Sequence, residues 1–429
     1  MGAAVHEIPV DRLPDPVRLD EAKLGSLFTK LVGFAVACAA LLAVGGVLVG
    51  WKQFFWSYLW GFTWCLAVSL GALFWTMIHH VADAGWSTGI RRLYENVHRT
   101  LLPLAFLFAP IGLGIGEIYK WSTPSAAEGM KIGKEIWLSP AFFVFRIVLY
   151  FTIWITYSRA MRRWSIEQDT SGDKTLSRKM QWWAPSGVAF LGMTATFAAF
   201  DLIMSLNYTW FSTIFGVYFW AGGIRSSMAL MVVIVLILHS CGHLRNTITR
   251  EHFHDLGKLS FGFTVFWTYI AFAQYFLIWY GNIPEETKFY LDRRYMLPEG
   301  ATQVVPSTWY WMSVGLPICY FIVPFLVLLP RGNKRSPVIL GAVSVWIMFF
   351  HAYDLYWQIM PEMSKETAHS WPTQGAHFSW MDGVSIAGFA SFLAAMVVFG
   401  LKSAAMVPIR DPRLAESIHH EVDEFGDPR

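Results

Sequence analysis

Apolar residues along this chain gather in long runs, divided by short segments that carry most of the charge. A run of about 20 apolar residues crosses a hydrocarbon core of roughly 30 Å as a helix, and the polar breaks between such runs become loops at the membrane surfaces. The pattern predicts about ten transmembrane helices, near residues 26–50, 57–81, 100–120, 138–160, 185–206, 209–241, 258–281, 307–329, 337–360 and 383–406. The expected protein is therefore all-α and integral to the membrane. A polar N-terminal segment (1–25) precedes the membrane domain (26–406), and a C-terminal tail (407–429) follows it.

Composition removes the alternative of one large water-soluble core. Of 429 residues, 55% are hydrophobic and 15% charged, whereas a soluble domain carries roughly 25% charged residues. Charge then sets the expected orientation. The loops after the second, fourth, sixth and eighth spans are rich in bases, among them Arg91, Arg92, Arg162, Arg163, Lys179, Arg331 and Arg335. In the remaining loops, acids slightly outnumber bases. Because basic residues accumulate on the cytoplasmic side, both termini are expected there. Trp51, Trp56, Tyr208, Trp210, Trp279, Tyr280 and Trp371 stand near span ends, as an interfacial aromatic belt requires. The polar start carries no short apolar stretch with a cleavage site, so no secretory leader is expected.

Cys38, Cys65, Cys241 and Cys319 fall in or beside apolar runs with no Cys-x-x-Cys spacing, which argues for small buried hydrophobes rather than iron–sulfur or zinc ligands. No phosphate-binding loop and no Ser/His/Asp arrangement stands out, and nothing suggests a nucleic-acid partner; no catalytic, metal or cofactor residue is expected. The chemistry of interest is instead in ionisable residues within the spans, which are costly in lipid and tend to face a bundle interior. Five qualify: Glu117, Arg146, Asp201, Arg225 and Asp354. In the expected orientation Glu117, Arg146 and Asp201 lie toward the outer surface. His351 and Asp354 share a helix face at three-residue spacing, with Gln274 and Tyr275 at comparable height. These residues are either structural pairs between helices or a polar half-channel open to the outside. Arg225 falls near mid-membrane, with Asp201 or Asp354 as its expected partner. The adjacent Gly222–Gly223 suggests that the long sixth span either tilts and extends or breaks there, opening a polar cavity. At the inner end, His79, His80 and Asp83 read either as a headgroup-facing surface or as a proton uptake point.

Two stretches carry a family resemblance. Gly71-Ala72-Leu73-Phe74, with His79-His80, Gly85-Trp86-Ser87, Arg91-Arg92 and Glu95, resembles the second span of the polysulfide-reductase/NrfD-type membrane subunits. Phe200-Asp201-Leu202-Ile203-Met204-Ser205-Leu206, followed by Trp210-Phe211-Ser212-Thr213-Ile214-Phe215-Gly216 and Tyr218, is similar to the ActF-type subunits of alternative complex III. The likeness covers about residues 26–406. It implies an NrfD-like fold of two inverted four-helix bundles (spans two to five and six to nine) with a flanking helix at each end. It further implies a bacterial inner-membrane subunit of a quinol:electron-acceptor oxidoreductase in a respiratory or photosynthetic chain, with menaquinol or ubiquinol as the complex's substrate. The implied partners are a homologous ActC-like membrane subunit, an iron–sulfur subunit, multihaem and monohaem cytochrome c subunits, and a terminal oxidase or cytochrome c as acceptor. Haem c and iron–sulfur clusters would sit in those partners and none in this chain. Its implied role is a proton half-channel and scaffold, with Asp201 inside the matching motif.

Four other readings compete. A haem b cytochrome needs His ligands on facing helices at mid-membrane, but His79, His80 and His239 fall near inner ends and His351 lacks an evident partner. A stand-alone secondary transporter would also use a broken span and buried charges. An inert membrane anchor would use the same polar residues only to hold helices together. A quinone bound in this chain would use His351 or Asp354 as its proton acceptor.

Overall fold

A computed structural model describes residues 18–123, 134–367 and 369–420. In chain order the helices are α1 (Glu21–Leu48), α2 (Trp51–Val81), α3 (Thr88–His98), α4 (Leu101–Leu107), α5 (Ala109–Leu113), α6 (Ile115–Ile118), α7 (Lys134–Trp137), α8 (Pro140–Ser171) and α9 (Thr175–Leu202). They continue as α10 (Phe215–Ser240), α11 (Arg250–Gly281), α12 (Pro284–Leu291), α13 (Trp309–Leu316), α14 (Val323–Leu328), α15 (Arg331–Arg335), α16 (Pro337–Ile359), α17 (Trp380–Ser403) and α18 (Leu414–Ile418). A π-helical turn, Pro317–Ile322, joins α13 to α14. The only strands among the described residues are the two-residue pair Tyr295–Met296 and Val305–Pro306.

Nine helices among the described residues are long and apolar enough to cross a membrane, counting α13 and α14 as one. The chain is thus a multi-pass, all-α membrane protein. The expected span at 100–120 is not a single helix: α3 to α6 follow one another in short pieces. Pro103 and Pro110 lie in that stretch, and each removes a backbone donor from the helical ladder. Large apolar residues face outward elsewhere, such as Phe145 on α8 and Phe272 on α11. That exposure suits a surface solvated by acyl chains.

Helix α2 is apolar on every side because it lies at the centre, against α9, α10 and α17. Its crossing with α10 explains the glycine pair in the sixth span. Helix α10 is unbroken, so of the two alternatives the break at Gly222–Gly223 is excluded, and the helix begins at Phe215 rather than 209. A Cβ on Gly223 would lie 2.5 Å from the Ala67 carbonyl oxygen, and one on Gly71 would lie 2.3 Å from the Gly223 oxygen. Ala67 and Gly71 on α2 face Gly223 and Ser227 on α10, so each helix offers small residues four apart and the backbones touch. Trp75 reinforces the crossing by donating from Nε1 to the Ile224 carbonyl at 3.0 Å.

The end of the bundle reached by α2 at Val81 is closed by the segment after α17, here termed the tail face. Asp411 accepts from Arg91 at 2.7 Å, Arg413 reaches Asp83 at 2.8 Å, and Ser417 Oγ donates to the Trp86 carbonyl at 2.6 Å. Arg91 and Arg92 share Glu95, at 3.3 and 3.2 Å, and Arg92 also pairs with Asp169 at 2.8 Å. Burial alone would raise the Asp411 carboxyl, but the Arg91 and Arg413 guanidiniums hold it well below the ordinary value of 3.8. A depressed carboxylate stabilises the folded state fully above that ordinary value, and the contribution is lost as pH falls through the folded value. Asp411→Asn is therefore expected to weaken docking of the segment by about 3 kcal/mol at neutral pH. Limited proteolysis within 404–420 checks it: the variant is cut at neutral pH, whereas the wild type is cut only on acidification.

Candidate functional site

Two groups of buried polar residues lie toward the opposite end, the loop face, and they differ in whether their atoms are satisfied. The first is Asp201, fully buried on α9. Its carboxylate accepts from Arg146 Nε at 2.9 Å and Nη2 at 2.8 Å, from Tyr150 Oη at 2.9 Å and from Trp137 Nε1 at 3.1 Å. Arg146 also donates to the Trp137 carbonyl at 2.7 Å and stacks on that indole, 4.1 Å from its centroid. Such a forked, closed pair joins α8 to α9 and leaves no lone pair for transferring a proton. Asp201→Asn is expected to cost about 3–5 kcal/mol by stranding the guanidinium, read as lost yield and a lower melting temperature in detergent.

The second group lies among α10, α11, the π turn and α16, and all its members are buried. Asp354 on α16 accepts from the Tyr218 hydroxyl on α10. One turn before it, His351 has no protein partner on either ring nitrogen. Arg225 on α10 makes no close hydrogen bond at Nε, Nη1 or Nη2. Its guanidinium lies 4.1 Å over the Tyr320 ring and 5.9 Å from that of Trp267, a cation–π contact that spreads the charge without saturating the donors. The π turn widens the helix where it presents Tyr320 to that cation. The Tyr320 hydroxyl lies beside that guanidinium and the Trp267 indole nitrogen beside the Asp354 carboxyl, and neither makes a close hydrogen bond. Gly222 makes the room: a Cβ there would stand 2.9 Å from His351 Cε1. Trp60 on α2 locks α16 in place, donating to the Ala352 carbonyl at 2.7 Å.

From this group a polar stripe runs along α16 to the loop face. His351, Asp354, Gln358 and Glu362 recur at three or four residues, hence on one side of the helix. The Gln358 amide lies beside the Asp354 carboxyl and makes no close hydrogen bond. At the end of the stripe Glu362 pairs with Lys365 at 2.8 Å and Arg293 at 3.9 Å, and Lys365 also holds Asp292 at 2.5 Å. Arg293 donates to the Trp357 and Gln358 carbonyls at 3.1 and 2.9 Å, capping α16. Lys120 donates to the Glu362 carbonyl at 3.1 Å, and burial pushes its ammonium down to about 8.

The expected residues therefore separate. Arg225, His351 and Asp354 come together, with Gln274 at the edge, where it accepts from Ser212 Oγ at 3.3 Å and donates to Tyr290 Oη at 3.3 Å. Arg146 and Asp201 pair with each other, so neither acid expected for Arg225 forms an ion pair with it. Glu117 is exposed and Tyr275 is 45% exposed, which removes both from the buried set. His79 and His80 belong to the tail face and are buried rather than turned to headgroups: His79 packs on Trp75, Trp86 and Tyr94. Asp83 sits there at the surface, paired with Arg413. Sequence reasoning missed Tyr320, Trp267, Gln358 and Glu362, and it placed Tyr218 only inside a family motif, with no role. The spacing of Gln358 and Glu362 from His351 was a usable signal; the aromatic residues gave none. No protein-family model matches the chain and no curated protein matches it, so the chemistry of this site stands on its geometry.

Proposed function

We propose that the chain is the proton-handling membrane subunit of a bacterial quinol:electron-acceptor oxidoreductase of the alternative complex III kind, ActF-like and anchored in the inner membrane. The observation that carries the proton role is the buried set Arg225, His351, Tyr320 and Gln358 beside Asp354, in which both His351 ring nitrogens lack a protein partner and the other polar atoms make no close hydrogen bond. Buried polar groups without protein partners are satisfied by water. Water threaded between a carboxylate, an imidazole and an amide is a route along which protons move. The stripe along α16 gives that route a direction, from mid-bundle to Glu362 at the loop face, which is the outer side in the orientation expected from loop charge. Toward the tail face Tyr94 donates to Met228 Sδ at 3.2 Å rather than to an oxygen, which suits a half-channel better than a through-pore.

Oxidising a quinol releases protons along with electrons. A subunit that carries only ionisable side chains can take the protons while haem c and iron–sulfur partners, beside an ActC-like homologue, take the electrons. The central α2–α10 contact supports two four-helix bundles meeting at their middle, and the packing of α1 against α17 suits one flanking helix from each end of the chain. Tagging the chain and isolating it from its native membrane tests the assignment. Haem c absorption, iron–sulfur signals and quinol:cytochrome c activity are expected in the purified material. A chain that emerges alone and transports a solute in proteoliposomes overturns it.

A further inference from the structure

Away from the polar stripe, near the tail face, a cavity of about 660 Å³ opens between α8 and the α3–α4 junction. Four arginines line it, Arg99, Arg159, Arg162 and Arg163, with Leu102 and Ile155 as apolar lining. None of the four forms an ion pair among the described residues. Two are fixed in place: Arg162 donates to Asn96 Oδ1 at 2.6 Å and to Ser403 Oγ at 3.1 Å. Arg99 donates to the same Ser403 oxygen at 3.1 Å and stacks 4.2 Å over Phe399. The other two, Arg159 and Arg163, are exposed one turn apart on α8. Four cations this close repel one another, and a site so built calls for an anion.

The surface leading to the cavity says which anion. Phe145, Leu149, Thr152, Thr156, Arg159 and Arg163 lie on one exposed face of α8, at alternating spacings of four and three. The Thr152 and Thr156 hydroxyls turn back to the carbonyls of Val148 and Thr152, each at 2.7 Å. With those hydroxyls satisfied, the threonines present methyl groups, and the face is apolar from Phe145 up to the arginines. Its length from 145 to 156 is about 16 Å at 1.5 Å per residue, matching one leaflet of a roughly 30 Å hydrocarbon core. Trp164 stands beside the cavity at the level where interfacial aromatics belong.

We infer that this cavity binds the phosphate headgroup of an anionic phospholipid, whose acyl chain lies along the α8 face. Arginine forks suit phosphate oxygens, and basic pockets at the cytoplasmic ends of helices take such lipids. The inference rests on the chain's crossing the membrane and not on its proton role.

The test uses the full chain in detergent with labelled phosphatidylglycerol as probe, and phosphatidylcholine and inorganic phosphate as competitors. Phosphatidylglycerol is expected to bind in preference to phosphatidylcholine. Replacing both exposed arginines, Arg159→Ala with Arg163→Ala, is expected to weaken it about 30-fold, with phosphatidylcholine unaffected. Arg159→Lys with Arg163→Lys recovers most of the affinity. These two side chains make no ion pair in the structure, so the variants fold. Equal affinity for both lipids, or an unchanged affinity in the alanine variant, overturns the inference. So does full displacement by millimolar inorganic phosphate, which marks a soluble-anion site, or by a protein subunit that covers the arginines.

Discussion

Replacing Asp354 with Asn is expected to leave the bundle folded and to stop the proposed proton transfer. Asn is close in shape, and its side-chain oxygen still accepts from Tyr218, so the contact between α10 and α16 persists. What the amide cannot do is alternate between protonated and unprotonated forms. Losing a positioned proton-transfer group lowers rate by about 100-fold or more, and a drop of that order is expected in quinol oxidation by the purified complex. Yield and melting temperature serve as the folding control, and Asp354→Glu is expected to restore part of the rate. Full turnover with unchanged proton release in Asp354→Asn removes the proton role and leaves this chain as an anchor. The contrast with Asp201 sharpens the result, because there the same substitution is expected to damage stability.

The second large effect is structural. Gly223→Ala sets a methyl group 2.5 Å from the Ala67 carbonyl oxygen and 3.0 Å from its carbon, both backbone atoms that cannot turn aside. The only relief is to push α2 and α10 apart at the centre of the molecule, where both are most buried. Overpacking of this sort costs about 3 kcal/mol, and here it also opens the crossing that Trp75 seals. The expected outcome is near-complete loss of monodisperse protein on size-exclusion chromatography. Gly192→Ala on α9 is the control: nothing lies within 4 Å of its added methyl, and the better helix propensity of Ala is worth up to about 1 kcal/mol.

Long spans were legible because bilayer thickness leaves a length signal that needs no knowledge of neighbours. The third span was misjudged as one helix because its apolar content hides the two prolines that divide it. Gly222–Gly223 fits either a break or an unbroken helix because sequence alone does not distinguish glycines that free a backbone from glycines that let two backbones touch. Only the position of Gly71 and Ala67 on another helix decides it. The same reason explains the ion pairs: Arg146 and Asp201 are 55 residues apart, and no local rule connects them. Depth does single out Arg225, His351 and Asp354, each costly in lipid wherever its helix lies, but only the fold brings the three together. It failed for Glu117, which reaches the surface beside its helix end. The loop-face ions Arg293, Glu362 and Lys365 read as loop charge in the sequence, although each is at most 2% exposed.

The docked tail has a consequence for how the molecule is made. Arg91 completes its charge balance with Asp411, 320 residues further along the chain. At roughly 5–20 residues per second, the second partner is synthesised roughly 15–65 s after the first. During that interval two neighbouring guanidiniums have Glu95 as their shared carboxylate from α3, with Asp169 arriving partway through. Every helix of the bundle can already be inserted while the charges beneath it are still unbalanced. Closure of this end of the bundle is then an electrostatic latch that follows the synthesis of α17 and does not precede it.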